Sequence, residues 1–206
     1  NENYNDNAYV GYMYGTPNSS TYEETHKNIN DSTIKTYIDL WYENSLKNTE
    51  YEKYLTDNIF CNDRTITNSK IDGYTNNGFG KEETRYNNSS QLKCTKKSDA
   101  FSTTSYGNAL LKYDIGLITS SETKLAGGYD IQNTNYYLYT GLSFYTITPE
   151  GLNTDLHSYE KCVSIDGRCN HREWTNTLIG VKPVINLKPN SLKSGDGTIN
   201  NPYVVE

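Results

Sequence analysis

The sequence predicts an α+β domain built from a mixed or antiparallel sheet, one or two amphipathic helices and long loops. Three observations predict it. Short runs of strand formers separated by turn residues recur along the 206 residues. The segment from Ser32 to about Leu46 places Ile34, Tyr37, Ile38, Trp41 and Leu46 near helical spacing. Between such runs lie Asn-, Ser- and Gly-rich stretches, concentrated from about 62 to 106. No linker or repeat divides the chain, so residues 1–206 read as one domain, helix- and loop-rich over 1–105 and sheet-rich over 106–206.

Taken in order, Tyr9 to Tyr14 reads as a first strand ending in the turn Gly15-Thr16-Pro17-Asn18. The helix follows, with Asp31 or Ser32 as N-cap and Trp41 as a core anchor. Tyr51 to Leu55 suggests a short second helix. Asn76-Asn77-Gly78-Phe79-Gly80 and Asn87-Asn88-Ser89-Ser90 are loop material. Ala109 to Ile118 reads as one strand or two short ones, and Thr119-Ser120-Ser121-Glu122 as a capping box opening a helix that stops at Gly127-Gly128. Tyr136 to Tyr139 and Phe144 to Thr148 alternate as strands do. Val181 to Leu187 is a strand with an early proline, which suits an edge or a strand start. Gly195-Asp196-Gly197-Thr198 is a turn, and Asn201 to Val205 a last strand expected to pair with the first.

Composition narrows the function. A net charge of -6, with Lys and Arg scattered, argues against nucleic acid as a partner. The hydrophobic fraction is only 34%, yet 20 tyrosines supply large apolar bodies with hydroxyls that still reach water. No apolar run is long enough to span a bilayer, so a membrane would be reached only through an anchor preceding Asn1. The four cysteines, Cys61, Cys94, Cys162 and Cys169, suggest an oxidising compartment. Local pairing gives Cys61–Cys94 and Cys162–Cys169, the latter across the hairpin turn at Asp166-Gly167. A zinc site is disfavoured by the absence of any CxxC pair.

The second half resembles a known layout. Ile115 to Gly128, in which a strand enters a short helix capped by Thr119 and Glu122, resembles a segment of formylglycine-generating enzymes and their C-type-lectin-like relatives. Phe144-Tyr145-Thr146-Ile147-Thr148-Pro149 and the closing Gly180-Val181-Lys182-Pro183-Val184-Ile185-Asn186-Leu187 resemble strands of related secreted domains. The tail from Gly195 to Val205 resembles one found in surface proteins of gut Firmicutes, some of which carry a prepilin-type leader. The resemblance covers residues 110–206 and implies a C-type-lectin-like fold, secreted or displayed at a bacterial surface.

Three classes of chemistry are open to these residues. The calcium triplets of sugar-binding C-type lectins are missing: Thr148-Pro149-Glu150 and Trp174-Thr175-Asn176 do not supply the oxygens in order, and Asp196 reads as a turn residue. Cys162 and Cys169 stand where the oxidases carry a reactive pair, but their spacing is wider and suits a structural disulfide. The histidines His26, His157 and His171 sit in polar contexts without a nucleophile motif, and Glu23-Glu24 and Glu82-Glu83 read as solvated charges. No metal or cofactor is expected. What remains is the exposed loop region that the resemblance places between about Phe144 and Trp174. There Tyr145, Tyr159, His171 and Trp174 offer aromatic, hydrogen-bonding contacts for a carbohydrate or protein ligand, although Tyr145 and Trp174 serve equally well as core. The leading expectation is a non-catalytic binding or adhesion domain. A pilin-like subunit self-assembling into a surface fibre comes next, and a formylglycine-type oxidase last.

Overall fold

The chain is described by a computed structural model over residues 6–19, 21–65, 92–152, 157–169, 171–198 and 200–205. The Asn-rich motifs at 76–80 and 87–90 and the Glu82-Glu83 pair lie outside the described residues. Helices and small antiparallel sheets coexist, which makes the class α+β.

The first half is organised by one helix. A turn of 3-10 helix at Asn7–Tyr9 precedes strand β1 (Met13–Tyr14), where a longer strand was expected. β1 pairs with β2 (Asn30–Asp31) and not with the C-terminal segment. A single helical turn, α1 (Tyr22–Thr25), lies between them. The expected amphipathic helix, α2, runs over Thr33–Ser45, and its N-cap is Ser32, whose hydroxyl accepts from the Lys35 amide at 3.2 Å. The buried stripe differs from the expected one. Ile34, Ile38 and Tyr42 face the core, joined by Lys35 and Asp39, while Tyr37 and Trp41 share the exposed face. Lys35 Nζ lies 2.9 Å from Asp39 and 3.0 Å from Asp31, and this pairing makes its burial tolerable. Trp41 is therefore no core anchor: it remains 37% exposed. The segment expected as a second helix is a 3-10 turn at Glu52–Tyr54.

Strand β3 (Phe60–Cys61) pairs with β4 (Ala100–Phe101), and Cys61 is bridged to Cys94 with a Cα–Cα distance of 5.5 Å. Next to this bridge, Arg64 is fully buried. Its guanidinium bonds Asp99 through Nε (3.1 Å) and Nη2 (2.9 Å), the Met13 carbonyl (3.0 Å) and Asn28 (2.7 Å). Asn62, also fully buried, accepts from the Tyr12 amide and donates to the Ile147 carbonyl, so the N-terminal segment is tied to the later sheet.

The second half supplies the sheet. Of the expected strand over 109–118, only β5 (Ile115–Leu117) forms; Ala109 has a left-handed backbone (φ 57°). Gly116 lets the Phe60 ring approach, since a Cβ there would lie 2.4 Å from Phe60 Cγ. Helix α3 (Ser120–Leu125) opens with the expected capping box: Thr119 accepts from the Glu122 amide and the Glu122 carboxylate accepts from the Thr119 amide. Tyr136 to Tyr139 is not a strand but a turn, closed by the Tyr139 amide bonding the Tyr136 carbonyl. Strands β6 (Phe144–Leu152), β7 (Ser158–Val163), β8 (His171–Trp174) and β9 (Gly180–Val181) form a four-stranded sheet in the order β8-β7-β6-β9, with β9 parallel to β6. The closing segment continues as β10 (Pro183–Ile185), which begins at its proline and pairs with β5. Strand β11 (Leu192–Ser194) pairs with β12 (Val204–Val205), so the last strand closes locally and not on β1.

One apolar cluster joins α2 (Ile38, Tyr42) to Phe101, Ile115, Leu117 and Ile147. A second gathers Tyr136, Phe144, Val163 and Cys169 against one side of the four-stranded sheet. Among the described residues, no helix is long and apolar enough to cross a membrane.

Candidate functional site

The β7–β8 hairpin builds the site. Side chains alternate along β7, so Tyr159, Lys161 and Val163 point to one face of the sheet and Ser158, Glu160 and Cys162 to the other. The register pairs Tyr159 with Trp174, Lys161 with Arg172 and Cys162 with His171. Trp174 and Arg172 thus share the Tyr159 face, and His171 and Glu173 share the opposite one.

On the first face the Trp174 indole Nε1 donates to the Tyr159 hydroxyl at 2.5 Å, with the rings nearly perpendicular (74°). The His157 ring lies 4.7 Å from the indole, and the Arg172 guanidinium sits 5.2 Å over the Tyr159 ring. Trp174 is 40% exposed. Beneath it the Glu150 carboxylate is buried with Lys161 Nζ at 2.5 Å and has Arg172 at 3.7 Å. The aromatic group therefore stands on a buried ion pair that fixes the positions of β6, β7 and β8.

Tyr145 is not part of this surface. It lies opposite Cys162 on the other face, is 8% exposed, and its hydroxyl donates to the Trp174 carbonyl (2.5 Å) with the Thr177 carbonyl at 3.0 Å. Burial, with Glu160 and Cys162 nearby, pushes its hydroxyl well above the usual tyrosine range. Its role is to hold the chain that leaves β8. His171 is also outside the group: it pairs with Glu173, Nε2 to Oε1 at 3.1 Å, on the far face. Of the four expected contact residues, the structure brings together Tyr159 and Trp174, and adds His157 and Arg172. Strict alternation from Tyr159 to Val163 was the available signal for that sorting; the pairing of Arg172 with Lys161 needed the hairpin register.

The cysteine pairing needs a correction. Cys61–Cys94 forms, but Cys162 and Cys169 are free, buried thiols. The Asp166-Gly167 turn exists, with Gly167 at φ 83° and its amide bonding Ser164. The register, however, sets Cys162 against His171, and Cys169 falls inside the turn region. Cys169 packs with Val163 and Phe144 on one face while Cys162 faces Tyr145 on the other, so the sheet separates the sulfurs. Burial pushes the Cys162 thiol up to about 12 and the Cys169 thiol up to about 11.

The strings compared with calcium triplets are engaged within the fold. Glu150 of the Thr148-Pro149-Glu150 string is committed to Lys161, and Asp196 accepts from the Thr198 amide within its turn. Among the described residues, no group of three or more His, Cys, Asp or Glu gathers as a metal would require.

Behind the sheet, on the Glu160 face, the segment 175–179 crosses from β8 to β9. With Tyr9 to Tyr12 and the start of α2 it lines a cavity of about 460 Å³ that opens to solvent. Comparison with known proteins finds no matching family model, no matching curated protein and no matching solved structure.

Proposed function

We propose that the chain is a non-catalytic binding domain with a C-type-lectin-like fold, secreted or displayed at a bacterial surface. Its contact surface is the aromatic face of β7 and β8. The observation that carries this reading is the Trp174–Tyr159 pair: two large rings locked edge to face by a hydrogen bond and flanked by His157 and Arg172, with the Trp174 indole exposed and Tyr159 half-buried. Rings held this way lose little conformational freedom on binding, which is the property aromatic binding surfaces exploit. A sugar ring stacked on the indole, with hydroxyls bonded to Arg172 and His157, fits the arrangement better than a flat apolar protein patch.

The fold reading is supported by the capped helix after β5, the β6–β7–β8 meander and the closing β9–β10 segment, in the order the resemblance implies. Features that differ from the expectation are the pairing of the two chain ends, the Tyr136–Tyr139 strand and the Cys162–Cys169 bridge. The Cys61–Cys94 bridge supports an oxidising compartment. The separation of Cys162 from Cys169 supports a binder over an oxidase, because one copper ion cannot reach both sulfurs across the sheet.

The test is retention on a panel of immobilised bacterial and host oligosaccharides. The wild-type chain retains at least one glycan, and Trp174→Ala weakens that binding at least tenfold while its melting temperature stays near the wild-type value. Retention of no glycan, or retention unaffected by Trp174→Ala, contradicts the reading.

A further inference from the structure

The cavity on the Glu160 face has a lining that the aromatic surface does not explain. Four tyrosines, Tyr9, Tyr12, Tyr37 and Tyr145, line it with aliphatic side chains, and among the described residues Glu160 is the one acidic or basic side chain in its lining. Two polar atoms there lack a partner among the described residues. Glu160 Oε2 is shielded from solvent and makes no hydrogen bond; the hydroxyl of Tyr12, a residue only 2% exposed, makes none either. Buried acceptors without donors are costly and uncommon, and in a cavity of this size they point to a ligand that completes them. Arg64, the cation whose charge acts on Glu160, bonds Asp99, Asn28 and the Met13 carbonyl.

A cage of electron-rich rings with one acidic oxygen is complementary to an organic cation. Tyrosine faces attract an ammonium group electrostatically, and an N–H on that group supplies the donor that Oε2 lacks. We propose that this cavity binds a small organic ammonium ion, a molecule with an apolar body and an N–H-bearing amine whose nitrogen takes Glu160 as acceptor among the four tyrosine rings. Tyr37, 56% exposed, and Leu178, 99% exposed, stand at the rim and form the entrance.

Burial pushes the Glu160 carboxyl well above the usual carboxylate range; Arg64 and the Gly11 amide oppose that shift and Glu150 reinforces it. Without a cation beside it, burial favours the neutral acid at Glu160. The ammonium ion supplies the compensating charge, so binding expels the Glu160 proton to solvent and leaves a carboxylate–ammonium pair.

The site stands on different residues from the Trp174 face, so the two readings fail separately. The experiment titrates the full chain by calorimetry with three probes of one shape: the phenethylammonium ion, neutral 2-phenylethanol and the anion 3-phenylpropionate. The cation is expected to bind at least tenfold more tightly than either of the others, with proton release visible as a buffer-dependent heat. Glu160→Gln should weaken the cation at least tenfold and leave the alcohol within about threefold. Tyr37→Ala, a change at an exposed rim residue, should weaken the cation at least threefold even if Glu160→Gln fails to fold, and Trp174→Ala should leave all three unchanged. The proposal is overturned if no probe binds, if the cation has no advantage, if a folded Glu160→Gln binds it as wild type does, or if the anion binds best. That last result would assign the cavity to the N-terminal end of α2.

Discussion

Cys162 and Cys169, seven positions apart in one hairpin, lie on opposite faces of the same sheet, both buried and both reduced. Their placement gives a stoichiometric expectation. The native chain should react with a thiol reagent only slowly, because burial disfavours both thiolates. Denatured without reductant, it should release two thiols per chain; with reductant, four. A denatured count of zero would mean a Cys162–Cys169 bridge and a different hairpin register.

The Cys61–Cys94 bridge closes a loop of 33 positions. Chain-entropy arguments put its contribution at about 3–4 kcal/mol. The double variant Cys61→Ala/Cys94→Ala should lose that much in urea unfolding, with little change in the native circular dichroism.

Much of this architecture was legible in the sequence, where local chemistry decides the outcome. Ser32 caps α2 and Thr119 with Glu122 caps α3 because side chains within three residues satisfy amides the helix cannot. Asp166-Gly167 turns because glycine adopts a positive φ freely. What escaped depends on distant partners. Trp41 looked like the core residue of α2, yet Lys35 can be buried only because Asp31 and Asp39 meet it there, and that rotates the buried stripe by a residue. Tyr136 to Tyr139 alternates like a strand, but Tyr136 is one ring of the cluster around Phe144 and among the described residues no strand pairs with it. The candidate site divided the same way. Tyr159 and Trp174 were found as residue types, whereas the exclusion of Tyr145 and His171 required the register of β6, β7 and β8.

Arg64 and Asp99 form an ion pair with both side chains almost wholly removed from water. Breaking one side leaves an uncompensated buried charge, which typically costs about 3–5 kcal/mol. Arg64→Ala should therefore unfold at markedly lower urea than wild type. Arg64→Ala combined with Asp99→Ala should recover part of the loss, and a double variant no more stable than the single one would contradict a direct pairing.

The buried carboxyl of Glu160 sets a pH dependence. Its folded value lies above the ordinary glutamate value of about 4.3, so the folded chain holds a proton that the unfolded chain releases. The stabilisation is complete below that ordinary value and declines as pH rises toward the folded value. Glu160→Gln lacks this dependence, so its stability relative to wild type should improve between pH 5 and pH 8. A constant difference across that range would show that Glu160 is ionised in the fold.

The most direct test of the binding face uses Trp174 as its own reporter. In a Trp41→Phe background, Trp174 is the single remaining indole of the two in the chain. Titration with a glycan retained by the wild-type chain should shift or quench its fluorescence saturably, and Tyr159→Ala should weaken that response at least tenfold. An indole signal that stays unchanged while the glycan binds would show that the contact surface lies elsewhere.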